Sequence, residues 1–284
     1  MPILDREEYI EQGYFFRVMR ERLLEGQPTQ TVLERIDQEI LSTTHLPMAI
    51  QFLAGEVKHS GLLSSGFARL NHYFTPFQAF IIEGSEDPTK RFTIDQGFLV
   101  LEREAQFRAG QVSPAGLFVY QFEVISRNRL GYDAGLDAMR ADPVYDAAWR
   151  EFLDIVKRQL GLVDFSDLIY ARSAWYVKEQ RHRDPGYESP REPLFGEKEG
   201  KIARANMGRD PLYLFAALQR QLGYPEVPRP RTRDDVGVKV ETLQAKVRDL
   251  EMRLKLLESE MRGTLDLSKL VKPEQLLDTP DEPW

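Results

Sequence analysis

The sequence predicts an all-α fold, a multi-helix globular bundle followed by a C-terminal coiled-coil helix. Three observations predict this class. Capping residues followed by proline recur along the chain. The Asn-Gly and Asp-Gly dipeptides that are typical of β-hairpins do not occur. A heptad repeat of apolar residues lies near the C terminus.

Composition narrows the class of protein before any motif is considered. The chain has 284 residues, of which 42% are hydrophobic, so it is long enough to bury a large core. Its net charge of −7 gives no overall positive field for nucleic acid or an anionic membrane. The first residues have no basic and apolar signal pattern, and no apolar run reaches bilayer length. We therefore expect a cytoplasmic protein with no nucleic-acid or membrane partner.

Helix starts are the clearest local signals. A capping side chain followed by proline satisfies one free amide of the first turn and removes another. Four such pairs precede apolar-rich stretches: Thr75-Pro76, Ser113-Pro114, Asp142-Pro143 and Asp210-Pro211. Thr31 with Glu34 forms a fifth start, a capping box.

These starts and the helical spacing of apolar residues predict ten helices in the body, with two shorter ones beside them. The ten are Arg6 to Glu25, Thr31 to Thr43, Pro47 to His59, Ser64 to Tyr73, Pro76 to Glu83, Arg91 to Arg108, Pro114 to Leu130, Pro143 to Leu160, Ser166 to Gln180 and Pro211 to Leu222. The two shorter ones are Ala134 to Met139 and Pro273 to Leu277. The seventh and ninth helices of the ten are apolar nearly all round, which predicts that both lie at the centre of the body.

Proline and charge patterns divide the chain into four regions. Residues 1–224 are predicted to form the helical domain, with an irregular strap at 181–209. Residues 225–235 form a proline-rich connector, and residues 236–262 form the coiled coil. Residues 263–284 are predicted to hold a short helix and a flexible acidic tail, which could dock into a protein partner.

The coiled-coil prediction rests on eight apolar residues spaced alternately four and three apart. They are Val236, Val240, Leu243, Val247, Leu250, Leu254, Leu257 and Met261. β-Branched residues at two of the a positions and leucine at three of the d positions favour a parallel dimer, with a trimer as the alternative. Lys246 and Arg253 at g would face Glu251 and Glu258 at e of a parallel partner. The same stripe would also allow the helix to fold back on its own body.

Buried charge predicts a second candidate site, a polar pocket between the two central helices. Glu123 lies on one of these helices and Arg172 on the other, so each needs a partner. Glu123 and Arg127 also stand one helical turn apart, and a structural ion pair is the favoured interpretation. The functional alternative is a pocket of Tyr120, Glu123, Asp167 and Arg172 that grips a small polar ligand.

Enzyme signals are sparse. Glu56 and His59 form one Glu-x-x-His pair, which is half of the set that a helical-bundle metal site requires. No P-loop, nucleophile elbow, metalloprotease or dinucleotide fingerprint occurs, and no cysteine is present. The sequence thus predicts no metal and no cofactor.

The leading hypothesis is a non-enzymatic assembly or adaptor protein that self-associates through its C-terminal coil. The alternative is a helical-bundle enzyme or small-ligand carrier, metal-dependent if Glu56 and His59 bind an ion. We favour the first hypothesis because the association motif is complete and no catalytic constellation is.

Overall fold

Helices make up the computed structural model, which describes residues 3–110 and 112–229 and the single positions 243, 246, 247, 250, 251 and 254. The chain divides into two units, Met1–Pro230 and Arg231–Trp284. The described residues contain no β-strand, only two isolated bridges. This confirms the all-α prediction for the body.

Thirteen helices lie within residues 3–229. They are α1 (Arg6–Leu24), α2 (Thr29–Ile36), α3 (Leu46–Ser60), α4 (Leu63–Arg69), α5 (Pro76–Glu86), α6 (Ile94–Ala109), α7 (Pro114–Asn128), α8 (Tyr132–Arg140), α9 (Ala147–Gln159), α10 (Phe165–Ala171), α11 (Ala174–Arg183), α12 (Glu197–Ala205) and α13 (Pro211–Leu222). Within the described part of the chain, none of the helices has the length and apolar character needed to cross a bilayer.

Three of the predicted helix starts are confirmed with their caps. Thr75 forms a complete capping box with Gln78 at the start of α5. The Ser113 hydroxyl accepts from the Gly116 amide at 3.1 Å. The Asp210 carboxylate accepts from the Leu212 amide at 2.9 Å. In all three cases proline occupies the first turn, as the sequence predicts.

Two predicted starts are wrong. α9 begins at Ala147, where Asp146 accepts from the Trp149 amide at 2.9 Å. The carboxylate of Asp142 pairs instead with a buried arginine, so Asp142 does not start this helix. Likewise Thr31 and Glu34 form no capping box, because Pro28 already supplies the first helical carbonyl, at 3.1 Å from the Val32 amide.

The predicted helix from Ser166 to Gln180 is two helices, α10 and α11. The chain breaks at Arg172, whose carbonyl accepts from the amides of Leu194 at 2.8 Å and Phe195 at 3.1 Å. Ser173 then caps α11 by accepting from the Tyr176 amide at 3.2 Å. α11 has no buried residue, so the prediction that this whole stretch is central is wrong for its second half.

The strap predicted at 181–209 is irregular only in part. α11 extends into it as far as Arg183, and α12 occupies Glu197–Ala205. Gly200 on α12 leaves no room for a Cβ atom against Ser173 and Trp175, so only glycine lets α12 approach this closely. α12 packs against α10, α11 and α13. Residues 184–196 remain as the irregular segment that crosses the surface near Arg172.

α7 lies at the centre of the body, as predicted. Eleven of its 15 residues are buried, and it packs against α8 and α13. Its Phe118 ring lies 5.3 Å from Phe152 on α9 and 6.0 Å from both Phe165 and Phe195. This aromatic cluster fixes α9, α10 and the end of the irregular segment around one rigid centre.

The first part of the predicted proline connector packs against the body. Val227 is buried, and the carbonyl of Arg229 accepts from Gln96 Nε2 on α6 at 2.8 Å. The short helix predicted at Pro273 to Leu277, the tail, and residues 230–235 of the connector lie outside the described residues.

Candidate functional site

Four residues of the predicted coiled-coil seam are described. Leu243, Val247, Leu250 and Leu254 are helical, and their exposed fractions are 61%, 52%, 60% and 59%. The flanking residues Lys246 and Glu251 are also helical and exposed. The other four members of the seam, Val236, Val240, Leu257 and Met261, lie outside the described residues.

The four residues of the predicted polar pocket fall into two environments. Tyr120 is fully buried and donates to the Val100 carbonyl at 2.8 Å. Glu123 accepts from Arg127 at 2.5 Å and from the Tyr224 hydroxyl at 2.7 Å. The rings of Tyr120 and Tyr224 lie 6.2 Å apart, so Tyr120 and Glu123 belong to one buried network on α7. Arg172 is not part of it, and the ion pair expected for Glu123 forms with Arg127 on the same helix.

This network is structural in character. Burial raises the pKa of Tyr120, and burial together with the charge of Glu123 raises the pKa of Tyr224. Both hydroxyls therefore stay protonated and act as hydrogen-bond donors. Tyr224 ties the segment after α13 to α7 through Glu123.

Arg172 lines a cavity of about 580 Å³ between α9, the end of α10, the start of α11 and the irregular segment. Phe152, Ile155 and Leu168 form its apolar wall, and Arg158 and Arg191 add two further cations. Tyr176, Tyr187 and Ser189 bring hydroxyl groups to it. Asp167, in the first turn of α10, is partly buried and is not among the lining residues.

The guanidinium of Arg172 is buried but poorly satisfied. The residue is 7% exposed, and its Nε and Nη1 atoms have no hydrogen-bond partner among the described residues. Its Nη2 atom donates a long bond, 3.4 Å, to the Ala148 carbonyl. Burial lowers the pKa of Arg172, while the charge of Glu151 acts in the opposite direction. Buried polar groups normally have hydrogen-bond partners, and the described residues provide no acceptor for Nε and Nη1 of Arg172.

No family model matches this chain, and no similar curated protein or solved structure was found. The chemistry of the candidate sites is therefore inferred from their own side chains.

The two metal candidates lie in the last turns of α3, Glu56 half-buried and His59 exposed. Glu56 on α3 accepts from Arg69 at 2.6 Å, and His59 is exposed one turn further along. Within residues 3–229 and the six positions beyond, no three His, Asp or Glu side chains are grouped to hold a metal ion.

The sequence did not predict a second buried ionic cluster, centred on Arg108 of α6. Its guanidinium donates to Glu104 at 2.6 and 2.8 Å and also pairs with Asp142. Gln121 on α7 donates to Glu104 at 3.1 Å and accepts from the Tyr145 hydroxyl at 2.8 Å. The local signal was the Glu104 to Arg108 spacing of one helical turn on an otherwise apolar face.

Proposed function

We propose that this chain is an assembly protein whose C-terminal helix pairs in parallel with the same helix of a second copy. One observation carries the proposal. Leu243, Val247, Leu250 and Leu254 recur at spacings of four, three and four on a helix, and each is more than half exposed. Burial of such an exposed apolar stripe against a complementary surface is favourable in free energy.

Charge favours a second copy as that surface. In a parallel pair, Lys246 at g faces Glu251 at e of the partner helix, and each copy supplies both residues. In an antiparallel pair, g positions face g positions, which would bring Lys246 and Arg253 toward like charges. The seam is narrow, and its flanks are charged, as in self-associating coils rather than in helices docked on a broad core face.

The main test is the mass of the full chain in solution at micromolar concentration. We expect light scattering to give a dimer, and we expect a monomer after truncation beyond Asp235 and for Leu250→Pro, which breaks the helix in mid-seam. Asp249→Ala, at an outward heptad position next to Leu250, is the matched control and should keep the dimer mass. A monomeric wild type, or an unchanged mass in both disrupted proteins, would overturn the proposal.

The orientation has its own test. Lys246→Glu puts two like-charged pairs across a parallel seam, each pair being worth roughly 0.3–0.5 kcal/mol, so the dimer should weaken a few-fold. Adding Glu251→Lys restores opposite charges, and the dissociation constant should return to the wild-type value. If Lys246→Glu leaves the dimer as tight as wild type or makes it tighter, the helices are not parallel, because an antiparallel pair would lose a contact between like charges.

A further inference from the structure

The cavity beside Arg172 lies within the helical body. We propose that it binds a small organic anion, a carboxylate or phosphate group on an apolar body, with Arg172 and Arg158 holding the charged group. The volume of about 580 Å³ lies within the range of small-molecule sites, roughly 300–1,000 Å³.

The lining determines the sign of the ligand charge. Three arginines line the cavity, and no aspartate or glutamate is among its described lining residues. Two carboxylates lie outside the lining but act on it. Glu151 accepts from Arg191 Nε at 2.7 Å and also acts on Arg172, as does Glu192 from the irregular segment. Arg158 and Arg172 have no ion pair within the described part of the chain. These two are the cations that remain for an anion.

Of these two arginines, Arg172 gives the stronger evidence for an anion-binding site. It is more than nine-tenths buried, and two of its nitrogens, Nε and Nη1, are enclosed and have no hydrogen-bond partner among the described residues. A guanidinium presents its donors as a planar fork that matches a carboxylate or phosphate group, and charged hydrogen bonds of this kind are stronger than neutral ones. Arg158 stands at a more exposed position on α9, where its Nε donates to the Asp154 carbonyl at 3.1 Å.

The rest of the lining indicates the nature of the ligand body. Phe152, Ile155 and Leu168 give an apolar surface, and Phe152 belongs to the rigid aromatic cluster around Phe118. Tyr176 and Tyr187 extend this surface and add hydroxyl groups. A flat or branched hydrocarbon portion fits this wall, and a fully polar ion such as inorganic phosphate would leave it unused.

The cavity owes its shape to the break between α10 and α11. Because Arg172 gives its carbonyl to Leu194 and Phe195, the helix ends there and the irregular segment is anchored beside it. That anchoring brings Tyr187, Ser189 and Arg191 across from α9. The same bonds that end the helix therefore assemble the site.

The experiment is calorimetric titration of the full-length protein with three probes that share one ring system: 2-naphthoate, 2-naphthyl phosphate and the neutral 2-naphthalenemethanol. We expect one or both anions to bind at least tenfold more tightly than the alcohol. The preferred anion tells whether the natural head group is a carboxylate or a phosphate. Equal binding of all three probes, or no binding of either anion at millimolar concentration, would overturn the proposal.

Variants locate the binding. Arg172→Met should weaken anion binding at least tenfold, and Arg158→Ala should weaken it several-fold. Arg150→Ala, at an exposed arginine on the same helix α9 that does not line the cavity, is the matched control and should bind as wild type. Equal losses in all three variants would show a general charge effect and overturn the site. Arg158→Ala, at an exposed position, keeps the test valid if Arg172→Met does not fold.

One variant should improve binding. Glu151→Gln removes the carboxylate that engages Arg191 at 2.7 Å and frees a third cation for the ligand. We expect anion affinity to rise a few-fold while affinity for the alcohol stays constant. A fall in anion affinity would contradict the placement of the charged group.

Discussion

Arg108 and Arg172 are two arginines buried to a similar degree, 4% and 7% exposed, in very different surroundings. Each guanidinium lies over one aromatic ring, Tyr9 at 5.9 Å and Phe152 at 5.8 Å. All three nitrogens of Arg108 donate to carboxylates. Arg172 has one long bond to a carbonyl and two nitrogens without a partner in the described residues.

The difference separates a residue that holds the fold together from one that is available to a ligand. Burial tends to lower the pKa of both guanidinium groups. For Arg108, the charges of Asp142 and Glu104 outweigh burial and raise the pKa. For Arg172, burial prevails and the pKa is lowered. The fold thus compensates the buried charge at Arg108, whereas at Arg172 it leaves the charge to be compensated from outside.

The largest effect should follow Arg108→Met. The substitution leaves Glu104 and Asp142 buried without a counter-charge, so the free energy of unfolding should fall by about 3–5 kcal/mol. Urea unfolding at neutral pH measures this. Arg150→Met, at an exposed position on α9, is the control and should change stability by less than about 0.5 kcal/mol. A loss from Arg108→Met as small as that of the control would remove the structural role given to the cluster.

The pH dependence of stability sharpens the account of the Arg108 cluster. Two carboxylates share one arginine, and burial raises the pKa of Glu104 above its usual 4.5 although Arg108 opposes the shift. The folded state therefore keeps a proton that the unfolded state releases. Stability from this group is complete below pH 4.5 and is lost as the pH rises through the raised pKa, by at most about 1.4 kcal/mol per pH unit.

Glu104→Gln tests this assignment, because glutamine mimics the protonated side chain at every pH. Relative to wild type, the variant should gain stability as the pH increases above 4.5, and the two proteins should converge at lower pH. Urea midpoints measured across this range give the comparison. Curves that stay parallel would mean that Glu104 titrates alike in the folded and unfolded chains.

Half of the Arg108 cluster has a local signal in the sequence that we did not use. Glu104 and Arg108 stand one helical turn apart on a predicted helix, so their contact follows from spacing alone. Asp142 is 34 residues away along the chain from Arg108. Its position before Pro143 indicated a helix start, and no local pattern distinguishes a capping aspartate from one that turns toward a distant arginine. Tertiary packing decides that choice.

For Arg172, too, the sequence indicated one property and could not indicate another. Its position in an apolar stretch correctly indicated burial, but the described residues supply no ion pair for Arg172. Glu123 is paired with Arg127 within α7 and with Tyr224 after α13. The Glu123 to Arg127 pair was visible in the sequence as a local alternative. The cavity was not predictable, because it depends on Leu194 and Phe195 reaching back to the Arg172 carbonyl across 22 residues or more. The Ser173 cap was a signal of the break that could have been found.

The smallest change in stability, and one opposite in sign, should follow Arg172→Met. The variant loses a single 3.4 Å bond to the Ala148 carbonyl, and it removes two buried nitrogens that have no partner among the described residues, which ends their desolvation cost. Methionine keeps an apolar side chain beside Phe152, so we expect the free energy of unfolding to rise by up to about 1 kcal/mol. Urea unfolding of Arg172→Met and Arg108→Met under the same conditions compares their free energies of unfolding. A loss comparable to that of Arg108→Met would make Arg172 a structural residue. Addition of the naphthyl anion that binds more tightly should make wild type the more stable of the two, because a ligand that binds the folded state stabilises wild type more than the weakly binding variant.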